Sequence, residues 1–113
     1  MTTKEYDLEL SNEIIRSQEL NELTDEIKEL FINFIWSISE LKKYSNLNEE
    51  DLKLCEAFAF KKCCDSVLTF DKEKLYKLYQ YFNQLIKCSY ASTIHRLAVT
   101  RKQTNIIIAT DES

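Results

Sequence analysis

Tyr81, Gln84, Cys88, Ala91, Ser92 and His95 recur at intervals of three or four residues, with Lys77 leading the series and Gln80, Lys87 and Arg96 on its flanks. These residue types suit contact with nucleic acid. Lysine and arginine neutralise phosphates, a tyrosine ring stacks on an unpaired base, and amide, hydroxyl and imidazole groups reach base edges. Tyr76 places a second ring immediately before Lys77. The competing reading is a solvated helix surface with an incidental tyrosine, since single exposed aromatics are ordinary.

Groups that would carry catalysis are sparse. His95 is the only histidine, and nothing in the sequence sets a cysteine or carboxylate beside it. The cysteines Cys55, Cys63, Cys64 and Cys88 contain no CxxC pair and read as reduced, mostly buried small apolar residues rather than zinc ligands. The chain has no glycine and no proline, which excludes glycine-rich phosphate loops and nucleophile elbows. No enzyme, cofactor or metal is expected.

A stripe of this kind needs a helix behind it and a core to hold that helix. Leu75, Leu78, Tyr79, Phe82, Leu85, Ile86, Ser89 and Leu97 form the opposite, apolar face of a helix expected to run from after a break at LTFDKEK, residues 68–74, to about Lys102. Upstream, Ile27, Leu30, Phe31, Phe34, Ile35, Ile38 and Leu41 repeat at helical spacing behind Thr24 as N-cap, with Lys42 and Lys43 in the last turn. Asn48 caps a further helix reaching about Leu68, whose stripe is Leu52, Cys55, Ala59, Cys63 and Val67. Residues 1–23 form an acidic helix or arm, packing by Ile14, Ile15 and Leu20 or fraying. Residues 103–113 form a tail, either disordered or a short docking strand. The expected fold is all-α: a single four-helix domain of 113 residues, its main body spanning residues 24–102.

Charge divides along the chain. Residues 1–50 hold five basic against twelve acidic side chains, a balance of −7, whereas residues 72–102 hold seven basic against Glu73 alone, a balance of +6. Two partners of opposite charge, or two solvated faces, would each account for this division. No apolar run is long enough to span a bilayer and the N-terminus lacks a signal-like core, so no membrane partner and a cytoplasmic location are expected.

The stretch FDKEKLYKLYQYFNQLIKCSYASTIHR resembles region 2 of the bacterial sigma-70 family, most closely the small late-transcription sigma factors of T4-type bacteriophages. Phe70-Asp71 matches the family's Phe-Asp pair, Tyr76-Lys77 its Tyr-Lys, Tyr81 its next tyrosine and Ile86-Lys87 its Ile-Arg. The run Tyr79-Gln80-Tyr81-Phe82-Asn83-Gln84 follows the phage pattern aromatic-x-Tyr-aromatic-x-Gln. Upstream, LTDEIKELFINFIWSISELKKY is similar to the region 2.1 helix and EEDLKLCEAFAFKKCCDSVLTFD to the polymerase-docking helix. The likeness therefore covers about residues 24–102. The chain departs from the family at Gln84-Leu85, where housekeeping members carry Trp-Trp, at Cys88, and at Ala57-Phe58-Ala59, where the family has Gln-Glu-Gly. No region 4 and no clamp-binding C-terminus is recognisable.

The resemblance implies a four-helix sigma region-2-like domain that binds core RNA polymerase at its beta-prime clamp and recognises and melts an AT-rich −10 promoter element. The implied DNA-contacting residues are Tyr76, Lys77, Tyr81, Gln84, Lys87, Cys88, Ala91, Ser92, His95 and Arg96. Glu49, Glu50, Asp51 and Glu56 are the implied polymerase contacts, and a phage coactivator is a further candidate partner. The alternative is a helical adaptor or inhibitor that binds a host protein, with Tyr81 as an interface anchor.

Overall fold

The computed structural model describes residues 2–111, with side chains described as far as Thr100. Four α-helices follow one another: α1 (Thr3–Leu20), α2 (Asp25–Ser37), α3 (Glu49–Val67) and α4 (Leu78–Asp111). Short 3₁₀ turns at Ser39–Tyr44 and Lys72–Lys74 lie on the two longer connections. No strand occurs among the described residues, and the all-α, four-helix expectation holds.

Local chemistry explains where the first three helices begin. Thr2 accepts from the Glu5 amide, Thr24 Oγ1 from the Ile27 amide (3.1 Å) and Asn48 Oδ1 from the Asp51 amide (2.8 Å), each satisfying an otherwise unpaired N–H of a first turn. Acidic residues follow each cap, on the positive end of the helix dipole. Without glycine, α1 ends at Asn21, which adopts the left-handed conformation (φ 54°) while the Asn21 and Glu22 amides donate to the Gln18 and Ser17 carbonyls.

The core is one cluster to which all four helices contribute. α1 supplies Tyr6, Leu10 and Ile14, α2 supplies Ile27, Phe31, Phe34 and Ile35, α3 supplies Cys55, Ala59, Cys63 and Val67, and α4 supplies Leu78, Phe82, Ile86 and Tyr90. Rings organise its centre: Phe31 lies 5.0 Å from Phe82, and Phe34 meets Tyr6 edge-on at 5.0 Å and Tyr79 at 5.1 Å. The most extensive helix pairing is α3 with α4, and each of these helices buries a small residue, Ala59 and Ser89.

Several expectations are corrected. Of the two alternatives for the N-terminal segment the helix is the one seen, with Ile14 buried as expected, but it packs through Tyr6, Leu10 and Ser17 besides, leaving Leu20 exposed and Ile15 only half-buried. α2 stops at Ser37, so Leu41, Lys42 and Lys43 belong to a 3₁₀ turn. The last helix starts at Leu78, a few residues after the expected break at 68–74. Its backbone continues to Asp111, so the segment from 103 is helical over its described part rather than a disordered end or a strand. Residues 112 and 113 lie outside the described residues. On α4 the buried face is Leu78, Phe82, Asn83, Ile86, Ser89, Tyr90 and Thr93, rotated from the expected one so that Leu85 and Leu97 are only half-buried.

No described helix is long and apolar enough to cross a membrane.

Candidate nucleic-acid interface

The connection between α3 and α4 builds one side of the site. Asp71 caps the Lys72–Lys74 turn, its carboxylate accepting from the Glu73 amide at 3.0 Å. The preceding Phe70 turns inward, edge-on to Tyr81 at 5.2 Å and stacked on Phe82 at 6.1 Å. Lys77 then opens α4 from an unusual conformation. Its φ is 56°, and its carbonyl accepts the first helical bond from the Tyr81 amide at 3.1 Å.

A left-handed lysine carries a steric cost of about 1–2 kcal/mol relative to a right-handed residue. Lys77→Val should therefore destabilise the protein by about 1 kcal/mol or more, because a β-branched side chain tolerates positive φ poorly, whereas Lys77→Gly should be neutral or slightly stabilising. Urea denaturation of the pair checks this.

Between the connection and the first two turns of α4 lies an open groove of about 630 Å³, within the roughly 300–1,000 Å³ range of small-ligand clefts. Phe70, Tyr81 and Leu85 form its apolar wall, Lys74 and Lys77 bring positive charge, and Gln80 and Gln84 bring amides. Tyr76, 66% exposed, and Cys88 complete it. The Gln84 amide also donates to Cys88 Sγ at 3.3 Å. Phe70, Lys74 and Tyr81 also line a smaller neighbouring groove of about 270 Å³.

The expected site thus divides. Tyr76, Lys77, Tyr81, Gln84 and Cys88 come together in the groove. Tyr76 and Lys77 reach it from the connection and not from a helix face, because α4 begins after them. Ala91 and His95 remain exposed further along the same face, with His95 about 21 Å along the helix from Tyr81 at 1.5 Å per residue. Arg96 is exposed on one flank of that face; Lys87 and Ser92 are half-buried. Tyr81 is 46% exposed but not free of the core, since its ring packs edge-on against both Phe70 and Phe82. Lys74, Phe70 and Leu85 were not among the expected contacts, and Gln80 was expected only on the flank of the stripe. Lys74 was legible as part of the basic segment, whereas the inward turn of Phe70 depends on the fold.

The proposed acidic contacts on α3 also separate. Asp51 is only 7% exposed, because as the third residue after its cap it turns toward the core, so it is removed from the exposed set. Glu49 and Glu50 stay on the surface, Glu49 paired with Lys53 at 3.4 Å. Glu56 lines a second groove with Ile32, Ile35, Trp36, Lys53, Ala57 and Phe60. Trp36 there is 69% exposed, and Ile32, Leu54 and Phe58 are also exposed on α2 and α3. The sequence signal for this apolar patch was the position of Trp36, off the core stripe of its helix.

Of the four free cysteines, Cys55 and Cys63 are sealed in the core and Cys88 is exposed in the groove. Burial, reinforced by neighbouring Cys64, pushes the Cys63 thiol up to about 12 from the ordinary 9.0. The unfolded chain releases this proton first, so the stability conferred by keeping the thiol neutral is complete below pH 9.0 and is lost as pH rises toward 12. Urea midpoints should accordingly fall at alkaline pH, with a shallower fall for Cys63→Ala. Burial likewise raises the Tyr90 hydroxyl, with Glu56 and Cys55 adding to the effect, and Tyr90 stacks on Tyr44 at 5.7 Å.

Comparison with protein-family models, with curated proteins and with solved structures finds no match to this chain.

Proposed function

We propose that this protein is a minimal sigma-type transcription initiation factor, acting in the cytoplasm, which docks on a core RNA polymerase and opens an AT-rich −10-type promoter element. The observation that carries this reading is the groove at the start of α4, where two tyrosines, two lysines and two glutamines surround an apolar wall. An unstacked base finds a ring to stack on, amides for its edge and cations for the adjoining phosphates. The exposed face of α4 beyond it, through Ala91 to His95 and Arg96, extends the path for one strand.

The Trp36 groove is the polymerase-facing surface in this reading. An exposed tryptophan beside an apolar cleft, rimmed by Lys53 and Glu56, has the anatomy of an interface anchor. Glu49 and Glu50 lie on the same helix as its outer, acidic edge. Trp36→Ala should leave stability within about 0.5 kcal/mol, as an exposed site permits. It should also weaken polymerase binding about thirtyfold or more, the loss of about 2 kcal/mol or above that marks an anchor residue. Pull-down with purified core polymerase measures the second effect.

The decisive experiment is in vitro transcription with purified core polymerase and this chain on a library of templates. Chain-dependent transcripts that share an AT-rich element upstream of their start sites support the proposal. The Trp36 groove also favours a second reading, a helical adaptor or inhibitor of a host protein. Capture of a partner without DNA dependence, together with absence of chain-dependent transcripts, would establish that reading instead.

A further inference from the structure

We infer that α1 is a two-point clasp that sets the shape of the groove, with Gln18 and Asp7 as positioning residues for the connection carrying Lys74, Tyr76 and Lys77; the functional part of this inference rests on the proposed role in promoter opening. The connection from Leu68 to Lys77 has little regular structure of its own beyond one 3₁₀ turn, and it ends on a left-handed lysine. Both of its ends are held by side chains from a helix more than fifty residues earlier.

At the first end, Gln18 Nε2 donates to the Val67 carbonyl at 2.9 Å and to the Phe70 carbonyl at 2.8 Å. These bonds satisfy acceptors where α3 stops, and they fix the backbone of Phe70, the ring that supports Tyr81. The orientation of the amide is dictated by its surroundings. With two carbonyls facing it only the NH₂ group fits, and Gln18 Oε1 is left buried without a partner. A buried acceptor left unsatisfied is costly, so the two donated bonds must be worth that cost.

At the second end, the Tyr79 amide donates to Asp7 Oδ1 at 2.7 Å. The other three α-helices are capped by Thr2, Thr24 or Asn48 from the adjoining chain, but α4 receives its capping oxygen from α1. Lys77, in the left-handed conformation, offers no side-chain acceptor there. The carboxylate also sits where the dipole of the longest helix is positive. Tyr6, beside Asp7, packs 5.9 Å from the Tyr79 ring and reinforces the same junction. Lys74, Tyr76 and Lys77 lie between the two points, so both anchors determine where these groups stand relative to Tyr81.

Backbone amide hydrogen exchange on the full chain tests the clasp without any nucleic acid. Gln18→Glu keeps the side-chain length but turns an acceptor toward two carbonyls, and Asp7→Ala removes the cap. Each should speed exchange across residues 68–81 about tenfold or more while leaving α2 and the first half of α3 within about twofold. Asp7→Asn, which retains Oδ1, should recover most of the protection. Should Gln18→Glu fail to fold, Gln18→Ala removes the donors without adding a repelling acceptor. Acceleration spread evenly over all helices, or none in 68–81, overturns the clasp. In the transcription assay the clasp variants should bind polymerase normally but lose promoter opening; normal opening despite faster exchange overturns their positioning role. A wild-type chain that opens no promoter sinks the functional reading, while the exchange pattern still decides the clasp.

Discussion

Tyr81→Ala is expected to abolish most promoter opening while polymerase binding persists. Extracting a base from the duplex costs a few kcal/mol, and stacking on an aromatic side chain returns about 1–3 kcal/mol, so removing the ring should cut open complex by roughly five- to hundredfold. The residue lines the groove, its ring packed edge-on against Phe70 and Phe82 with nearly half the residue's surface open. Those edge contacts mean that the alanine variant also loses about 0.5–1.5 kcal/mol of stability. Tyr81→Phe separates the effects, because it keeps both the packing and the stacking face and should retain opening. Permanganate reactivity of thymines near −10, on duplex and pre-melted templates, measures the defect; rescue by pre-melting identifies it as one of strand opening. Lys74→Ala and Arg96→Ala should instead weaken DNA binding at all sequences and each reduce the salt slope by about one. If Tyr81→Ala opens promoters as wild type does, the groove is not a base site.

Phe34→Ala should be the most damaging single change to the fold. Phe34 is fully buried on α2 and touches Tyr6 of α1 and Tyr79 of α4, so its ring joins three of the four helices. Truncating a phenylalanine in such a place costs about 3–5 kcal/mol, through lost burial and the cavity left behind. Domains of this size are stable by only about 5–15 kcal/mol, so the variant should lose a large share of its stability margin. Urea denaturation followed by circular dichroism gives the number, and Phe58→Ala, at an exposed position on α3, should change it by no more than about 0.5 kcal/mol. Comparable losses at both positions would mean that the ring cluster is not the centre of the core.

The sequence carried the helices where local chemistry and periodicity agreed. Thr24 and Asn48 cap as their side chains dictate, and the stripes on α2 and α3 bury nearly the residues their spacing selects. The break before α4 was legible at residues 68–74, but the residue at which the helix opens was not, for a physical reason. Nothing between Phe70 and Leu78 is a glycine or proline, Leu75 keeps the apolar rhythm through the break, and the helix opens from a lysine that no propensity favours in that conformation. The rotation of the α4 face has a similar origin. Tyr90 and Thr93 are buried because Tyr44 and the Ser89 carbonyl await them, partners that periodicity does not contain. The exposed row from Tyr81 to His95 was legible, but the groove was not, since half its wall comes from a connection whose path depends on α1. The reach of α1 beyond its apolar core contacts was hidden because it is exerted by polar groups: Asp7 and Gln18 act on distant backbone, outside the reach of any local pattern.

The dependence of the α3–α4 connection on α1 also has a consequence in time. A ribosome delivers α1 first, but the Val67 and Phe70 carbonyls and the Tyr79 amide that it binds arrive about fifty to seventy residues later. At synthesis rates of about 5–20 residues per second, α1 waits some 3–14 seconds for its last partner. Through that interval Tyr6, Leu10 and Ile14 have only part of their eventual cover, and Phe31 lacks Phe82 altogether. The core is therefore expected to close only once α4 has emerged. Nascent chains arrested before residue 78 should therefore be cut readily by protease within α1, and those released with α4 complete should resist.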